Sequence, residues 1–179
     1  MRITGGQARG LRLAVTRGPG VRPTSSRVRG ALFQLLGEAK GAKVLDLYAG
    51  TGALGIEALS RGAAWVDFVE QDVRLCRTIQ QNLRAAGFAE RGEVHRAHVE
   101  KALGSLQGPY DAVLMDPPYG TPGLDQVMQR LDGILARKGI VVLEHSKRDA
   151  AADVYGALRR KTQRRYGDTE LSIYAREDD

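Results

Sequence analysis

A chain of 179 residues is long enough for one domain with a substantial core and a small appendage. A single cysteine, Cys76, rules out an internal disulfide, and with only three scattered histidines no metal cluster is expected, so a cytoplasmic setting is natural. No apolar run approaches the ~20 residues of a membrane helix and no secretory signal opens the chain, while a net charge of +6 points to a polyanionic partner.

That charge is unevenly placed: residues 1–40 carry +7 and residues 41–179 carry −1. Within residues 1–15, Gly5-Gly6 and Gly10 interrupt short extended stretches, which suits a small hairpin or arm. Gly18-Pro19-Gly20 reads as a turn, and Arg22-Pro23-Thr24 as an extended lead into a helix that Thr24, Ser25 or Ser26 can cap. Val28, Leu32, Leu35 and Leu36 share one face of that helix and Gly37 closes it. The expected division is a basic arm over 1–23 followed by one domain over 24–179. Arg9, Arg12, Arg22, Arg27 and Arg29 give this end the density of positive charge that phosphates attract. A second cluster, Arg159, Arg160, Lys161, Arg164 and Arg165, fits either a polyanion or a solvated face.

The next stretch organises the chain. Val44, Leu45 and Leu47 read as a strand buried on both faces, ending beside Asp46 and followed by Gly50-Thr51-Gly52. Gly50 and Gly52 allow a tight turn and close approach to a ligand, and Ala53 to Arg61 forms a helix stopped by Gly62. The string through Gly55 satisfies G-x-G-x-x-G, a dinucleotide fingerprint that is weak alone. Asp46 separates the readings, because a carboxylate repels a pyrophosphate and suits a cation. Glu70, after the apolar run from Trp65 to Val69, can accept both hydroxyls of a ribose. A nucleoside carrying a cation fits both acids.

Asp72 can cap the following helix, with Val73, Cys76, Ile79 and Leu83 inward. Glu93 to Ala97 makes a strand, and His98-Val99-Glu100 leads into a short helix reaching Leu106. Tyr110 to Met115 is a further strand, running straight into Asp116-Pro117-Pro118-Tyr119. The proline pair cannot extend a ladder and fixes the carbonyls before it. Asp116 then offers a carboxylate, its neighbour a carbonyl and Tyr119 an aromatic face, a set that fits a planar amine. Leu124, Val127, Met128, Leu131 and Leu135 trace a helix stopped by Gly139, and Ile140 to Leu143 another buried strand. Leu158 to Arg165 and Leu171 to Tyr174 suit an antiparallel pair at the sheet edge. Alternating strands and helices imply an α/β, doubly wound sheet with its ligand site at the strand C-terminal ends.

Asp46-Leu47-Tyr48-Ala49-Gly50-Thr51-Gly52 together with Asp116-Pro117-Pro118-Tyr119 resembles the S-adenosylmethionine-dependent amino methyltransferases of class I fold. More narrowly, the chain resembles the RsmD-type bacterial enzymes, which methylate the exocyclic N2 of a guanine in small-subunit (16S) ribosomal RNA. Gly5-Gly6-Gln7-Ala8-Arg9-Gly10, Arg22-Pro23-Thr24 with Arg27-Val28-Arg29 and Ala31-Leu32-Phe33, Gly52 to Gly62, and Tyr166-Gly167-Asp168-Thr169 carry that narrower match. Three positions depart from the family pattern: Ser26 and Gly30 stand where members usually have acids, and His98 where they often have Asp or Asn.

The resemblance implies a mostly parallel seven-stranded sheet and S-adenosylmethionine as cofactor. It implies that Gly50, Thr51 and Gly52 line the cofactor, with Asp46 near its methionine end, Glu70 on its ribose, and His98 and the Val99 backbone near its adenine. Asp116 and the Pro117 carbonyl, held by Pro118, would grip the target amine while Tyr119 stacks on a base flipped from the RNA. Arg9, Arg12, Arg22, Thr24, Arg27 and Arg29 would contact RNA, free or in a small-subunit assembly particle, and the enzyme would act as a monomer. A DNA or other RNA amine methyltransferase (adenine N6 or cytosine N4), an NAD-dependent dehydrogenase and a non-catalytic RNA-binding protein are the alternatives. The last two leave Asp116 to Tyr119 without a role.

Overall fold

Strand β1 (Lys43–Leu47) lies at the centre of the parallel part of the sheet, with β2 (Trp65–Glu70) on one side and β4 (Tyr110–Met115) on the other, both parallel to it. The computed structural model describes residues 1–16, 26–37, 39–149 and 151–177, without the side chains of Ser26 and Arg27. The turn expected at Gly18-Pro19-Gly20, the stretch Arg22-Pro23-Thr24, and the caps Thr24 and Ser25 lie outside the described residues. β3 (Gly92–Arg96) and β5 (Leu135–Ser146) extend the parallel part to five strands. Beyond β5 the pairing turns antiparallel through β8 (Thr169–Arg176), β7 (Leu158–Tyr166) and the two-residue β6 (Val154–Tyr155). The order β3-β2-β1-β4-β5-β8-β7-β6 makes eight strands in a mixed sheet, one more than expected. The extra strand is β6, too short to leave a periodic signal.

Helices cover both faces, as a doubly wound sheet requires. α1 (Ser26–Leu36), α2 (Ala53–Ser60) and α3 (Val73–Ala85) share a core with Val44, Val66, Phe68 and Leu114. α4 (Val99–Ala102) and α5 (Leu124–Leu131) pack on the other face with Leu45, Leu47, Val113 and Met115. The alternation of these two sets along β1 and β4 is the strand period itself. Three inward assignments shift. Phe33 is buried in place of the exposed Leu35, Leu75 joins the α3 core while Val73 is exposed, and Leu135 opens β5 instead of extending α5. Leu135 opposes Tyr110 in the ladder, so one apolar position served both a helix and a strand reading. Gly139 belongs to β5, where a Cβ would stand 2.7 Å from the Tyr110 carbonyl at the register shift.

The arm is tied down. The Arg2–Arg12 bridge and the bonds Ile3 N–H to Leu11 and Leu13 N–H to Met1 build a hairpin whose Ile3 and Leu13 are core residues. Its turn sits on the C-terminal end of α2, where Ser60 Oγ donates to the Gly5 carbonyl at 2.6 Å and Gln7 N–H to the Ser60 carbonyl at 2.7 Å. At Gly6 a Cβ would lie 1.9 Å from that Ser60 carbonyl oxygen, so only glycine fits. One acid holds the assembly. Glu57, on α2, accepts from Thr4 N–H (2.8 Å), Thr4 Oγ1 (2.7 Å), Gly5 N–H (2.8 Å), Arg61 Nε (2.9 Å) and Arg29 Nε (3.3 Å).

Burial alone would raise the Glu57 pKa, but the Thr4, Arg61 and Arg29 donors outweigh it and hold it below the usual glutamate value. Its contribution to stability is therefore present above the unfolded value near ~4.3 and lost as pH falls through the lower folded one. Removing one partner of a buried pair strands the other's charge, so Glu57→Ala is expected to cost about 3–5 kcal/mol in urea unfolding at neutral pH. A loss below about 1 kcal/mol would mean that the hairpin and α1 hold their places without this acid.

Candidate active site

The C-terminal ends of β1, β2 and β4 bring three acids to one rim. Asp46 on β1 is 1% exposed, and its Oδ2 accepts the Gly55 N–H at 2.8 Å from the first turn of α2. Burial pushes its pKa well above the ordinary value; the Gly55 bond works against that rise, and the charges of Asp116 and Glu70 add to it. Those two acids are thus within electrostatic reach of Asp46. Glu70, at the end of β2, is also buried, with Oε2 accepting Gly50 N–H and Oε1 accepting Asp72 N–H, each at 2.9 Å. Each carboxylate oxygen keeps a second lone pair, enough for a pair of vicinal hydroxyls.

The turn between β1 and α2 takes its shape from positive φ angles at Tyr48 (57°), Gly50 (57°) and Gly52 (78°). The glycines differ in purpose. A Cβ on Gly50 would meet nothing nearer than the Tyr48 carbonyl at 4.0 Å, so space lies open beside the backbone. On Gly52 it would press on Ile79 at 3.0 Å, and on Gly55 it would stand 2.3 Å from the Phe68 ring. Gly55 therefore sets how closely α2 approaches the sheet. Thr51 is buried between them, its carbonyl accepting from Asn82 Nδ2 at 3.0 Å.

Asp116 follows β4 directly, in the strand beside β1, and is half-buried; Pro117 is buried, and Pro118 and Tyr119 are exposed. The Pro118 carbonyl accepts both the hydroxyl (2.5 Å) and the N–H (3.2 Å) of Thr121. With Gly120 at φ 68° this closes a tight turn that presents the Tyr119 ring, 45% exposed, to solvent. His98 and Val99 come to the same rim, because Ala97 N–H donates to the Glu70 carbonyl at 3.1 Å. His98 is exposed at the start of α4, and Val99 is buried.

The RNA candidates disperse. Arg9 and Arg12 are exposed on the hairpin, whose turn lies at the end of α2 away from the glycine turn. Arg29 is 0% exposed, bonded to Glu57, the Arg2 carbonyl and Met1 Sδ, which corrects its assignment to RNA. It shares the sequence context of its neighbours, but its helical position points inward with Leu32 and Phe33. Arg22, Thr24 and the side chain of Arg27 lie outside the described residues. Two further residues border this site. Tyr48 Oη is buried without a hydrogen-bond partner among the described residues, its pKa raised to about 12 by burial and by Glu100. Asn82 occupies an inward position of α3 where an apolar residue is the usual choice, and that was its signal.

Three carboxylates at one rim, next to open backbone at Gly50, suit a cationic ligand with a diol and disfavour a phosphate. This set of acceptors fits a nucleoside with a cation. In the ligand-free chain the Asp46 charge is a burden: its penalty is absent below the unfolded value near ~3.9 and grows as pH rises toward the raised folded value. Asp46→Asn is therefore expected to raise the melting temperature of the ligand-free protein, by a margin that widens as pH rises above about 4. A variant melting below wild type throughout would show that the charged bond to Gly55 outweighs the burial.

Residues 1–175 match the family model described as Conserved hypothetical protein 95. The Ribosomal RNA small subunit methyltransferase D of Escherichia coli K12 is 33% identical over 180 residues, covering 99% of this chain and 90% of that one. A solved hypothetical protein of Thermus thermophilus superposes with a TM-score of 0.82 at 30% identity, covering 97% of this chain and 98% of its own. A conserved hypothetical protein of Streptococcus pyogenes superposes at 0.79 with 31% identity, covering 84% of this chain and 96% of its own.

Proposed function

Since the chain belongs to the Conserved hypothetical protein 95 family, that of the RsmD-type methyltransferases, we propose that it methylates the exocyclic N2 of a guanine in small-subunit (16S) ribosomal RNA. The cofactor is S-adenosylmethionine. The observation that carries the reading is the convergence of Asp46, Glu70 and Asp116 on one rim, with Asp-Pro-Pro-Tyr closing the strand beside the glycine turn. An NAD-dependent enzyme would have to set a pyrophosphate among those acids.

When bound, the cofactor supplies an electrophilic methyl group on a sulfonium. Asp46 and the open side of Gly50 hold its cationic end, Glu70 accepts the ribose hydroxyls, and His98 and the Val99 backbone flank the adenine. Asp116 accepts one N–H of the target amine and the Pro117 carbonyl the other. Drawing those hydrogens from the ring plane frees the nitrogen lone pair from conjugation, and Tyr119 stacks on the extruded base. Fixing the nitrogen supplies much of the acceleration by orientation alone. Exposed Arg9 and Arg12, with Arg22, Thr24 and Arg27, contact the RNA. The protein works as a monomer in the cytoplasm, on RNA alone or in an assembly particle.

The direct test is methyl transfer to small subunits from cells lacking the enzyme, followed by mapping of the modified base. Methylation of adenine N6 or cytosine N4 instead would move the assignment to those amines. Asp116→Ala is expected to slow single-turnover methylation about 100-fold or more while leaving cofactor affinity within a few-fold. Glu70→Ala is expected to weaken cofactor binding in calorimetry by roughly 1.5–3 kcal/mol, the worth of hydrogen bonds to a charged acceptor. Unchanged affinity would remove Glu70 from the ribose.

A further inference from the structure

Asn82 stands where the basic arm meets the glycine turn, and we infer that it latches the two together, so that RNA held by the arm tightens the cofactor site; the inference rests on the methyltransferase reading. Its side chain is 1% exposed and makes three hydrogen bonds. Oδ1 accepts the Ala14 N–H at 2.7 Å, while Nδ2 donates to the Ala14 carbonyl at 3.1 Å and to the Thr51 carbonyl at 3.0 Å. One planar amide thus takes both backbone groups of an arm residue and a carbonyl of the residue between Gly50 and Gly52. A rigid amide cannot follow one partner without moving against the other.

The neighbouring turn of α3 reinforces the junction. Thr78 Oγ1 donates to the Arg74 carbonyl at 3.0 Å, so in the 2.7 Å contact with Thr16 Oγ1 it is Thr16 that donates. Ile79, in the same turn, is the residue against which Gly52 is packed. Residues 78, 79 and 82 of α3 therefore seat the arm at Ala14 and Thr16 and the ligand turn at Thr51 and Gly52. Arg17 follows this seat directly in the sequence, and Arg22 and Arg27 stand further along. RNA that fixes the arm fixes Ala14, and through Asn82 it holds the Thr51 carbonyl. By linkage the effect is reciprocal: a cofactor that orders the turn strengthens the arm's hold on RNA by the same factor.

The measurement is calorimetric titration of the full chain with S-adenosylhomocysteine, which cannot react, with and without saturating 16S rRNA transcript. For wild type, RNA is expected to raise affinity about 5-fold or more, the lower end of ordinary coupling between sites. In Asn82→Ala that ratio is expected to fall to about one. A ratio of affinities is unmoved by uniform loss of stability, which separates positioning from simple weakening of the fold. Should Asn82→Ala fail to fold, Thr16→Val removes only the arm's hydroxyl bond, and its ratio must fall below half the wild-type value. A wild-type ratio of one, or a wild-type ratio retained in the folded variant tested, overturns the latch. Absence of any S-adenosylhomocysteine binding by wild type instead overturns the methyltransferase reading, and the latch with it.

Discussion

Helix α2 can approach the sheet only because residue 55 has no side chain, and much of the molecule hangs on that approach. With Gly55 seated on Phe68, its N–H reaches Asp46 at the end of β1, and the glycine turn is held to the sheet at both of its ends. Two residues further along, the same helix carries Glu57 away from the sheet and toward the hairpin and α1. One short helix therefore frames the ligand site at its N-terminus and receives the arm from its middle to its C-terminus. Displacing it by the width of a methyl group would disturb both.

Glu57 and Asp46 show how environment divides two buried acids into different roles. Glu57 collects five donors from three elements, and its charge is more comfortable inside the protein than in water. Asp46 has the Gly55 N–H as its backbone donor and two acids for neighbours, and both burial and those neighbours disfavour its charge. The first arrangement is complete within the chain. The second leaves a buried charge against its neighbours, which is the usual signature of a site where stability has yielded to binding.

What the sequence disclosed followed from how local each signal was. Strands β1, β2 and β4 declared themselves through apolar runs, and Asp46 and Asp116 through the glycine and proline punctuation that follows them. Arg29 could not be sorted from Arg22 and Arg27, because its burial depends on a carboxylate 28 residues away. Leu35 and Phe33 were exchanged because, at ~100° per residue, they lie on opposite sides of Leu32 around the helix, and the partner surface decides which side is covered. Leu135 satisfied two periodicities at once, and only its pairing with Tyr110 resolves them. Asn82 was legible as an anomaly, while its partners, 68 and 31 residues away, were not.

β6 and the residue before it cover β7 at Leu158, Arg159 and Arg160, which leaves the rest of a nine-residue strand as an outer edge among the described residues. A bare ladder edge is a template on which a second chain can crystallise its own strand. Here that edge is studded with Lys161, Arg164 and Arg165, all exposed, so two copies approaching edge to edge meet like charge before they meet hydrogen bonds. The C-terminal basic cluster thus sets like charge along an open ladder edge, an arrangement that opposes edge-to-edge pairing of two copies.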